Sequence, residues 1–582
     1  MKSARFDDLR PHRRRSFQMV GLLGVLEAGR PGEVGDVLNS AEKAVRDGHW
    51  VAGFVTYEAS PSFDPSLVVV DPTGSAMEDL PLAWFSVWER RAPTYQLSTS
   101  WYELGTWTPA SDEKRHAADV SHIKQRIRGG DTYQVNHTFR MTAAFDGDPE
   151  GLYRDLVNSQ SCGYGALIDT GRFVVASASP ELFFEWRHGV IQSKPMKGTA
   201  PRGLMVTDDE EQRRRLEASE KDQAENLMIV DMVRNDLGRV ARVGSVRVPA
   251  LFTTEKYDTV WQLTSTVVAE TRPATSLSDV FTALFPCASI TGAPKVSTMG
   301  IIKDLEADPR GVYCGAIGFG GPGAGGAPEW AFNVAIRTVL VDRAAGLATY
   351  GTGGGVTYDS TPEGEYDEAL LKVQVLARRS ASLELIETIK WSESDGLWLL
   401  DRHLERLTAS ARYFDIPLDP AEVRAALRAA VAGRLGLARL RLTVDRTGKI
   451  AVEAGDLPRA STVRAAVDSM PIDPTDPLLY HKTTNRRTYD EARARYSGVD
   501  DVILINPAGE VTETTVGNLA VELDGSWWTP PVSAGLLPGT YRAELLATGR
   551  LGERSVAISQ LKAASGLARL NALRGWEPID LD

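Results

Sequence analysis

Residues Phe285–Lys295 read FPCASITGAPK, and this stretch lies between two segments that space their carboxylates for one face of a helix. The segment before it, 217–239, reads EASEKDQAENLMIVDMVRNDLGR, and the segment after it, 363–372, reads EGEYDEALLK. Residues three or four positions apart lie on the same side of a helix. These three stretches together decide the fold predicted for the longer part of the chain.

The segment 217–239 is predicted to form a helix that starts at Ser219. Ser219 followed by Asp222 three positions later is typical of a helix N-terminus, and apolar residues recur behind it at helical spacing. Asp222 and Glu225 then share one face. On spacing alone an alternative stays open, in which Asp222 only caps the helix and Glu225 is a solvated side chain.

The segment 363–372 places two carboxylates and an amine, Glu365, Glu368 and Lys372, on one face of a second helix. It follows a glycine-rich run, Gly351–Gly355 (GTGGG). We interpret this run as a turn whose backbone N–H groups hold a carboxylate or phosphate. A glycine-rich anion site followed by two spaced carboxylates suits Mg²⁺ that bridges to an anionic substrate.

Composition limits the classes of partner. The 582 residues include 77 acidic and 65 basic side chains, for a formal net charge of −12. Such a chain is expected to be repelled by nucleic acid and by anionic lipid, so neither is a predicted partner. The three cysteines form no CxxC pair, which favours a reducing compartment and a cytoplasmic location. None of them lies in the Gly-Cys-Gly type turn of a glutaminase nucleophile.

The motifs of the longer part resemble those of chorismate-utilising enzymes. The resemblance covers most of residues 115–375 and rests on FPCASITGAPK, the two carboxylate helices, Ser179–Leu182 (SPEL) and Gly311–Gly318 (GVYCGAIG). It implies an α+β fold, in which two packed antiparallel sheets carry the chorismate site and helices surround them.

The same resemblance implies a set of site residues. It assigns Mg²⁺ to Glu225 and Glu368, with Asp222 and Glu365 in support. It places Glu181, as an acidic group, near the C4 hydroxyl of the substrate ring. The implied substrate-binding residues are Tyr313 and Arg337 for the enolpyruvyl carboxylate, Lys372, Gly353, Gly354 and Gly355 for the ring carboxylate, and Thr291 and Gly292 as further lining.

Two positions discriminate among the reactions of this family. Gln134 stands where members that add water carry lysine. The resemblance therefore implies that ammonia, and not water, is added to the ring. Lys197, in PMKGT, stands where anthranilate-forming members carry alanine. It matches members in which this lysine attacks ring C2 before ammonia adds at C4. Gln262 departs from the histidine of many relatives, which leaves its role open.

The C-terminal 200 residues resemble fold-type IV pyridoxal-phosphate aminotransferases. The motifs are Glu387-Thr388, 401–407 (DRHLERL), Lys482-Thr483, 511–519 (VTETTVGNL) and 538–542 (PGTYR). The resemblance implies an α/β domain with pyridoxal 5'-phosphate. Lys482 would bond to its aldehyde carbon and Glu513 would face its pyridine nitrogen. The implied phosphate-binding group comprises Arg406, Asn518, Gly539 and Thr540.

Three details of the second domain stay as expectations. Arg402 and His403 are predicted to lie on an ordinary helix surface. The family's opening strand and loop have no counterpart before Glu387, which leaves open how the substrate side of the pocket is closed. A homodimer formed through this domain is one option for the assembly.

The sequence therefore predicts a bifunctional enzyme. Residues 1–110 would form the N-terminal part of a chorismate enzyme, 111–379 its catalytic domain, and 380–582 a lyase domain. Chorismate and ammonia from a separate glutamine amidotransferase subunit would yield 4-amino-4-deoxychorismate, then 4-aminobenzoate and pyruvate for folate biosynthesis. The alternatives are an anthranilate- or isochorismate-type synthase fused to an amino-acid transaminase, and a non-catalytic chorismate-binding protein.

Overall fold

The computed structural model describes residues 2–10, 15–94, 96–159, 162–374, 376, 383–458 and 461–582. The chain divides into two compact units. The first unit comprises Met1–Pro201 and Arg213–Ser380, and the second comprises Arg202–Gln212 and Ala381–Asp582. The predicted boundary at residues 379 and 380 lies outside the described residues, and the predicted division at residue 110 stays a prediction.

The strands of the first unit are β1 Ser3–Asp8, β2 Arg15–Ala28, β3 Trp50–Val55, β4 Ala83–Pro93, β5 Tyr102–Leu104, β6 Thr108–Pro109, β7 Gln134–Gly147, β8 Tyr164–Asp169, β9 Phe173–Ser179, β10 Leu182–Arg187, β11 Val190–Lys194, β12 Met196–Pro201, β13 Arg247–Lys256, β14 Val260–Glu270, β15 Gly292–Ala293, β16 Ala316–Pro322, β17 Pro328–Val334, β18 Thr338–Asp342 and β19 Leu347–Val356. Its helices are α1 Val34–Arg46, α2 Glu113–Arg128, α3 Pro149–Asn158, α5 Glu220–Gly238, α6 Leu277–Leu284, α7 Lys295–Leu305 and α8 Pro362–Gln374. Helix α4, Val206–Ala218, crosses the division of the chain at Gln212.

Strand β1 joins two antiparallel arms of the first unit, because it pairs with β2 on one edge and β8 on the other. One arm continues through β4, β3, β16, β17, β10, β11 and β14, and the other through β9, β18, β19 and β7. A shared apolar core includes Phe54 and Trp84 from one arm and Val175 and Leu340 from the other. Burial of each such side chain contributes roughly 1.5–3 kcal/mol. The predicted α+β fold of two packed antiparallel sheets is confirmed.

Six elements meet where the candidate site of the first unit lies. Strand β19 pairs with β7 along its whole length, and β12 pairs with β14. Helix α5 packs on β12 and β14, while α8 packs on β19. The predicted helix start is confirmed, since Ser219 caps α5 and its hydroxyl accepts a hydrogen bond from the Asp222 N–H. The two carboxylate helices therefore stand on neighbouring parts of one sheet system.

The strands of the second unit are β20 Leu385–Ser392, β21 Gly396–Leu397, β22 Leu437–Val444, β23 Ile450–Gly455, β24 Val463–Val467, β25 Asp501–Ile505, β26 Val511–Thr514, β27 Asn518–Leu523, β28 Ser526–Thr529, β29 Gly552–Glu553, β30 Gly566–Asn571 and β31 Gly575–Leu581. Its helices are α9 Leu400–Tyr413, α10 Pro420–Ala430, α11 Arg487–Ala494, α12 Thr540–Ala547 and α13 Ile558–Leu561.

The second unit contains a four-stranded antiparallel sheet, β21–β20–β22–β23, and an eight-stranded mixed sheet. Strand β24 in the mixed sheet pairs in parallel with both β25 and β31. Helix α9 covers the first sheet through Leu404 and Leu407, which pack on Leu440. The predicted α/β domain is confirmed. Across the described residues, the helices are too short or too polar to cross a membrane.

Candidate active sites

The glycines of β19 form the floor of the candidate site in the first unit. A Cβ added at Gly355 would overlap the Gln134 side-chain amide and would lie 2.9 Å from Lys197 Nζ. A Cβ added at Gly354 would lie 2.8 Å from Glu365 Oε2. The predicted glycine turn is wrong, because Gly351–Gly355 is the paired interior of a strand. Here the missing side chains provide space in which functional groups from other elements converge.

Lys372 and Glu368 form an ion pair on α8 beside these glycines. Lys372 Nζ lies 2.7 Å from Glu368 Oε1 and donates a hydrogen bond of 2.7 Å to the Gly353 carbonyl. Burial acts to raise the pKa of Glu368, but Lys372, Lys197 and Arg337 outweigh it and leave this pKa lowered. Burial also lowers the pKa of Lys372, against the opposing charge of Glu368. Lys372, the predicted ligand of the ring carboxylate, is therefore paired with Glu368 of the same helix.

Helix α5 supplies the carboxylates next to Lys197. A Cβ added at Gly198 would lie 2.9 Å from Asp222 Cβ, so Asp222 packs directly behind the lysine's strand. Burial raises the pKa of Glu225, with Lys197 opposing and the charges of Asp222 and Glu368 reinforcing it. Glu225 on α5 and Glu368 on α8 therefore repel each other electrostatically, and a cation between them would offset this repulsion.

The donor set of this site fits Mg²⁺ bound with the substrate. No group of three or more His, Cys, Asp or Glu side chains is arranged for metal binding within the described ranges. Mg²⁺ usually keeps several waters and uses one or two carboxylates plus substrate oxygens. Glu225 and Glu368 supply that number of hard oxygen ligands. Asp222 adds negative charge beside Glu225, and Glu365 Oε2 lies closer than Glu368 Oε1 to the space above Gly354.

Glu181 lies in a buried part of the site, only 3 % exposed. Its Oε1 has no hydrogen-bond partner in the structure. Burial raises the pKa of Glu181 to about 7, while Ser289, Lys197 and the Met196 backbone act in the opposite direction. A carboxyl group with this pKa is partly protonated near neutral pH and suits general acid chemistry.

The predicted carboxylate-binding residues occupy neighbouring positions. The Tyr313 ring fills the space over Gly351, and the Arg140 guanidinium lies 5.2 Å from the centre of that ring. Arg337 Nη1 lies 3.5 Å from the Lys372 carbonyl oxygen. Arg337 also has a left-handed backbone with φ of 52°. Non-glycine residues in this strained conformation concentrate at functional sites.

The other predicted lining residues have structural contacts. The Thr291 hydroxyl donates to the Cys287 carbonyl at 3.2 Å. A Cβ added at Gly292 would overlap the Gln134 backbone carbonyl. The Thr291 carbonyl accepts a hydrogen bond from the Asn136 N–H at 2.8 Å, so Thr291 and Gly292 both contact the strand that carries Gln134. Gln134 itself is 1 % exposed, and its Oε1 has no hydrogen-bond partner in the structure.

Two residues that position the lysine strand were not assigned from the sequence. Asn226 Nδ2 donates to the Lys197 carbonyl at 3.2 Å, and Ser265 Oγ donates to Asn226 Oδ1 at 2.6 Å. Gln262, whose role the sequence left open, donates through Nε2 to the Gly198 carbonyl at 2.9 Å. Gln262 therefore fixes backbone next to Lys197. Asn226 follows Asp222 by four positions, so helical spacing alone would have placed both on one face of α5.

The second unit contains a cavity of about 490 Å³ that brings together its predicted site residues. The cavity is lined by Lys482, Glu513, Arg406, Asn518, Gly539 and Thr540, among others. Burial lowers the pKa of Lys482 to about 8, with Arg406 and Arg486 acting in the same direction and Glu387 opposing. A lysine with a lowered pKa has more of the neutral amine needed to bond to a carbonyl carbon.

Glu513 is held by three donors. The Tyr489 hydroxyl donates to Oε1 at 2.8 Å, the Leu537 N–H donates to Oε1 at 3.0 Å, and Asn518 Nδ2 donates to Oε2 at 3.1 Å. Burial raises the pKa of Glu513 to about 7 despite these donors. A protonated pyridine nitrogen would supply the missing positive partner. Tyr489 was not assigned from the sequence, because no motif marked it.

Glu387 connects two neighbours on α9. Arg406 donates to both Glu387 oxygens, at 2.9 and 2.7 Å, and His403 Nδ1 lies 2.7 Å from Glu387 Oε2. The prediction that His403 lies on the helix surface is wrong, since it is 1 % exposed and lines the cavity. It shares the buried face of α9 because it lies three positions before Arg406. Arg402 is partly exposed and pairs with Glu544.

The start of α12 fits a phosphate. A Cβ added at Gly539 would overlap Asn518 Oδ1, so only glycine fits there. Thr540 begins the helix, and Arg406 Nη1 donates to the Pro538 carbonyl at 3.3 Å. A helix N-terminus beside an arginine is a favourable site for phosphate. Together with Lys482 and Glu513, these residues fit each polar part of pyridoxal 5'-phosphate.

Two family models match this chain, one on each side of the boundary near residue 380. A family model described as chorismate binding enzyme matches residues 30–378, and one described as amino-transferase class IV matches residues 384–581. The chain therefore carries a class IV aminotransferase domain after its chorismate-binding region.

Curated relatives match the first part of the chain. Aminodeoxychorismate synthase of Streptomyces griseus is 44% identical over 282 residues, which cover 47% of this chain and 38% of that protein. Aminodeoxychorismate synthase component 1 of Klebsiella aerogenes is 38% identical over 292 residues, which cover 50% of this chain and 62% of that protein. The chain thus spans less than two thirds of the length of either relative.

A solved structure supports the fold of the first unit. Anthranilate synthase component I from Streptococcus pneumoniae TIGR4 is similar with a TM-score of 0.52 at 24% identity, over 65% of this chain and 92% of that one. The match to residues 30–378 covers more than half of the 582 residues. The chain belongs to the family of chorismate binding enzymes.

Proposed function

We propose that this chain converts chorismate and ammonia into 4-aminobenzoate and pyruvate by two reactions in two sites. The observation that carries the proposal is the convergence of Lys197 Nζ and the Gln134 amide on Gly355, next to the acidic groups of α8. Lys197 can act as a nucleophile, and the neutral amide of Gln134 cannot activate water as a lysine at that position would. Both features favour amination over addition of water. The similarity to proteins named aminodeoxychorismate synthase supports the same reaction.

In the first reaction, the neutral amine of Lys197 attacks ring C2 of chorismate, and the C4 hydroxyl leaves. Glu181, with a pKa of about 7, donates the proton that the leaving oxygen takes up. Ammonia then adds at C4 and the Lys197 amine departs, which yields 4-amino-4-deoxychorismate. Glu225 and Glu368 would hold Mg²⁺, which supplies positive charge for a substrate carboxylate.

In the second reaction, 4-amino-4-deoxychorismate enters the cavity of the second unit. Pyridoxal 5'-phosphate, when bound, supplies an electron sink for the substrate amine. Glu513 would face its pyridine nitrogen, and Arg406 with the start of α12 would hold its phosphate. Lys482 would take the proton from ring C4 and deliver it to the methylene carbon of the enolpyruvyl group, so the ring C–O bond breaks, pyruvate leaves and the ring becomes aromatic.

Ammonia is proposed to come from a separate glutaminase. The Klebsiella aerogenes relative is named as component 1, which implies a second component for that enzyme. All three cysteines of this chain are buried and unpaired, and burial raises the pKa of each thiol. A buried thiol with a raised pKa is a poor nucleophile for glutamine hydrolysis.

The proposal is tested by product analysis. The purified chain is supplied with chorismate, Mg²⁺, ammonium and pyridoxal 5'-phosphate, and the products are separated and identified by mass and retention against standards. We expect 4-aminobenzoate and pyruvate in equal amounts. Anthranilate, isochorismate or salicylate as the main product would contradict the proposal and favour a different reaction at the first site.

A further inference from the structure

Five basic side chains and two carboxylates line the cavity of the second unit. The cofactor accounts for Lys482, Arg406 and Glu513. Three arginines, Arg486, Arg493 and Arg574, remain with one carboxylate, that of Asp490. The cavity therefore keeps an excess of positive charge that neither the amine-binding lysine nor the phosphate-binding group explains.

Arg486 lines the cavity beside the Tyr489 ring and the Thr515 backbone. Its Nη2 donates to the Thr515 carbonyl, and its guanidinium lies 4.7 Å from the centre of the Tyr489 ring. No ion pair of Arg486 occurs among the described residues. It is only partly exposed and acts electrostatically on both Lys482 and Glu513. A guanidinium in this position is ready to bind a carboxylate through its free N–H groups.

Arg574 reaches the same cavity from a different element. It lies in the short loop between β30 and β31, and Asn571 at the end of β30 donates to the Val516 carbonyl at 3.0 Å. Its Nε lies 3.9 Å from Glu577 Oε1, but Glu577 is already bonded to Arg569 at 2.9 Å. Arg574 therefore shares its acidic partner with a second arginine and keeps donors for a ligand.

Helix α11 adds Arg493 at the exposed margin. Arg486 caps the start of this helix and Arg493 follows seven positions later, on the same side. Both line the cavity, whereas Arg487 between them is exposed and pairs with Glu491 at 2.7 Å. The face of α11 that borders the cavity thus carries two arginines against the single carboxylate of Asp490, whereas Arg487 outside it is paired.

We propose that Arg486 and Arg574 bind the two carboxylates of the lyase substrate and select a dianionic cyclic amine over an amino acid with one carboxylate. This inference rests on the proposed function, since 4-amino-4-deoxychorismate carries a carboxylate on its ring and another on its enolpyruvyl group. Arg493 attracts the dianion at the mouth of the cavity. The two arginines are positioning and specificity residues, and Lys482 remains the catalytic amine.

The test uses the full chain loaded with pyridoxal 5'-phosphate. Steady-state constants are measured with supplied 4-amino-4-deoxychorismate for the wild type, Arg486→Gln, Arg486→Lys and Arg574→Gln, with Arg487→Gln as the matched control. We expect KM to rise about ten- to hundredfold in each glutamine variant, as for loss of a hydrogen bond to a charged group. The change in kcat should be smaller, Arg486→Lys should recover part of the loss, and Arg487→Gln should behave as the wild type.

Binding without turnover gives a second readout. The dissociation constants of 3-(carboxymethoxy)benzoate, a dianion, and 3-methoxybenzoate, a monoanion, are measured from the change in visible absorbance of the bound cofactor. The wild type should bind the dianion at least about tenfold more tightly. That preference should disappear in Arg486→Gln and Arg574→Gln and should persist in Arg487→Gln.

Two outcomes overturn the inference. One is an unchanged preference for the dianion in both glutamine variants. The other is a loss of cofactor affinity in Arg486→Gln with an unchanged KM, which would assign this arginine to the cofactor. Failure of the proposed function would give a different result: the wild type would not turn over 4-amino-4-deoxychorismate, even if it preferred the dianion. Thermal unfolding of each variant verifies that it is folded.

Discussion

Lys372 Nζ lies 2.7 Å from Glu368 Oε1, so one turn of α8 joins a proposed substrate ligand and a proposed metal ligand in a single ion pair. A substrate carboxylate would pair with Lys372, and Mg²⁺ would pair with Glu368. When both ligands bind, the Lys372–Glu368 ion pair is replaced by these two interactions. This arrangement predicts that chorismate and Mg²⁺ strengthen each other's binding.

Replacement of Glu368 should mainly change the requirement for Mg²⁺. In Glu368→Gln, one hard oxygen ligand becomes a neutral amide, so the Mg²⁺ concentration for half-maximal chorismate consumption should rise about tenfold or more. The measurement is a Mg²⁺ titration at fixed chorismate. Glu363→Gln is the matched control, since Glu363 is an exposed residue on the same helix. Identical titrations for both variants would show that Glu368 does not hold the metal.

Lys197→Ala should lose turnover while it keeps most of its affinity for chorismate. Arg337, Lys372 and Mg²⁺ remain to bind the two carboxylates, whereas the nucleophile is absent. A hundredfold loss in kcat would correspond to roughly 2.7 kcal/mol of transition-state stabilisation. With C2 open, some ammonia should add there and give anthranilate as a side product. Kinetics of chorismate consumption and isothermal titration with chorismate separate turnover from binding.

The control for this variant is Lys303→Ala, because Lys303 is an exposed lysine on α7. It should match the wild type in both measurements. Trapping of a chorismate-derived adduct on the wild-type chain, followed by peptide mapping, should locate the added mass on Lys197. An unchanged rate in Lys197→Ala together with no adduct would require direct attack of ammonia at C4.

The pH dependence of the first reaction should follow Glu181. Below a pKa of about 7 the buried carboxyl is protonated and can donate, and above it the proton is lost. Free ammonia and neutral amines become more abundant over the same interval, so the diagnostic quantity is the ratio of the wild-type kcat to that of Glu181→Gln. This ratio should fall as the pH rises through about 7, by up to about tenfold per pH unit. The ratio of Glu185→Gln to Glu181→Gln should fall in the same way, since Glu185 pairs with Arg187 outside the site. A ratio that stays constant across the interval would exclude Glu181 as the acid.

The source of nitrogen provides another prediction. Because the three thiols are buried, the purified chain should use ammonium but not glutamine. Addition of a glutaminase subunit should make glutamine effective. The measurement is formation of 4-aminobenzoate from ¹⁵N-amide-labelled glutamine, with ¹⁵N-ammonium as the positive control. Labelled product from glutamine and this chain alone would refute the prediction.

Helices with regular spacing were predictable from the sequence. Ser219 caps α5 as the spacing of Ser219 and Asp222 predicts. The glycine run 351–355 was not predictable by the same means. Glycine is typical of turns, and only its pairing with β7 makes this run a strand.

Contacts between distant elements account for what the sequence did not reveal. Tyr489 and Glu513 are 24 positions apart, and their hydrogen bond depends on how α11 packs beside β26. His403 was interpreted as a surface residue because DRHLERL is rich in charge, yet its partner Glu387 lies on the neighbouring strand β20. Gln262 acquires a role only when β14 pairs with β12. Local patterns cannot contain such pairings.

The two proposed sites act in sequence, and each depends on one lysine. Lys482→Ala should still consume chorismate and release 4-amino-4-deoxychorismate, because its first unit is unchanged. Lys197→Ala should convert supplied 4-amino-4-deoxychorismate at the wild-type rate, because its second unit is unchanged. Each variant alone should make little 4-aminobenzoate from chorismate and ammonium.

The most direct measurement is therefore a mixing experiment with these two variants. Equal amounts of Lys197→Ala and Lys482→Ala are incubated with chorismate, Mg²⁺, ammonium and pyridoxal 5'-phosphate, and 4-aminobenzoate is quantified over time. We expect a lag while the intermediate accumulates, followed by formation of 4-aminobenzoate that neither variant achieves alone. Formation of 4-aminobenzoate at the wild-type rate by Lys482→Ala alone, or no product from the mixture although Lys482→Ala releases the intermediate, would contradict it.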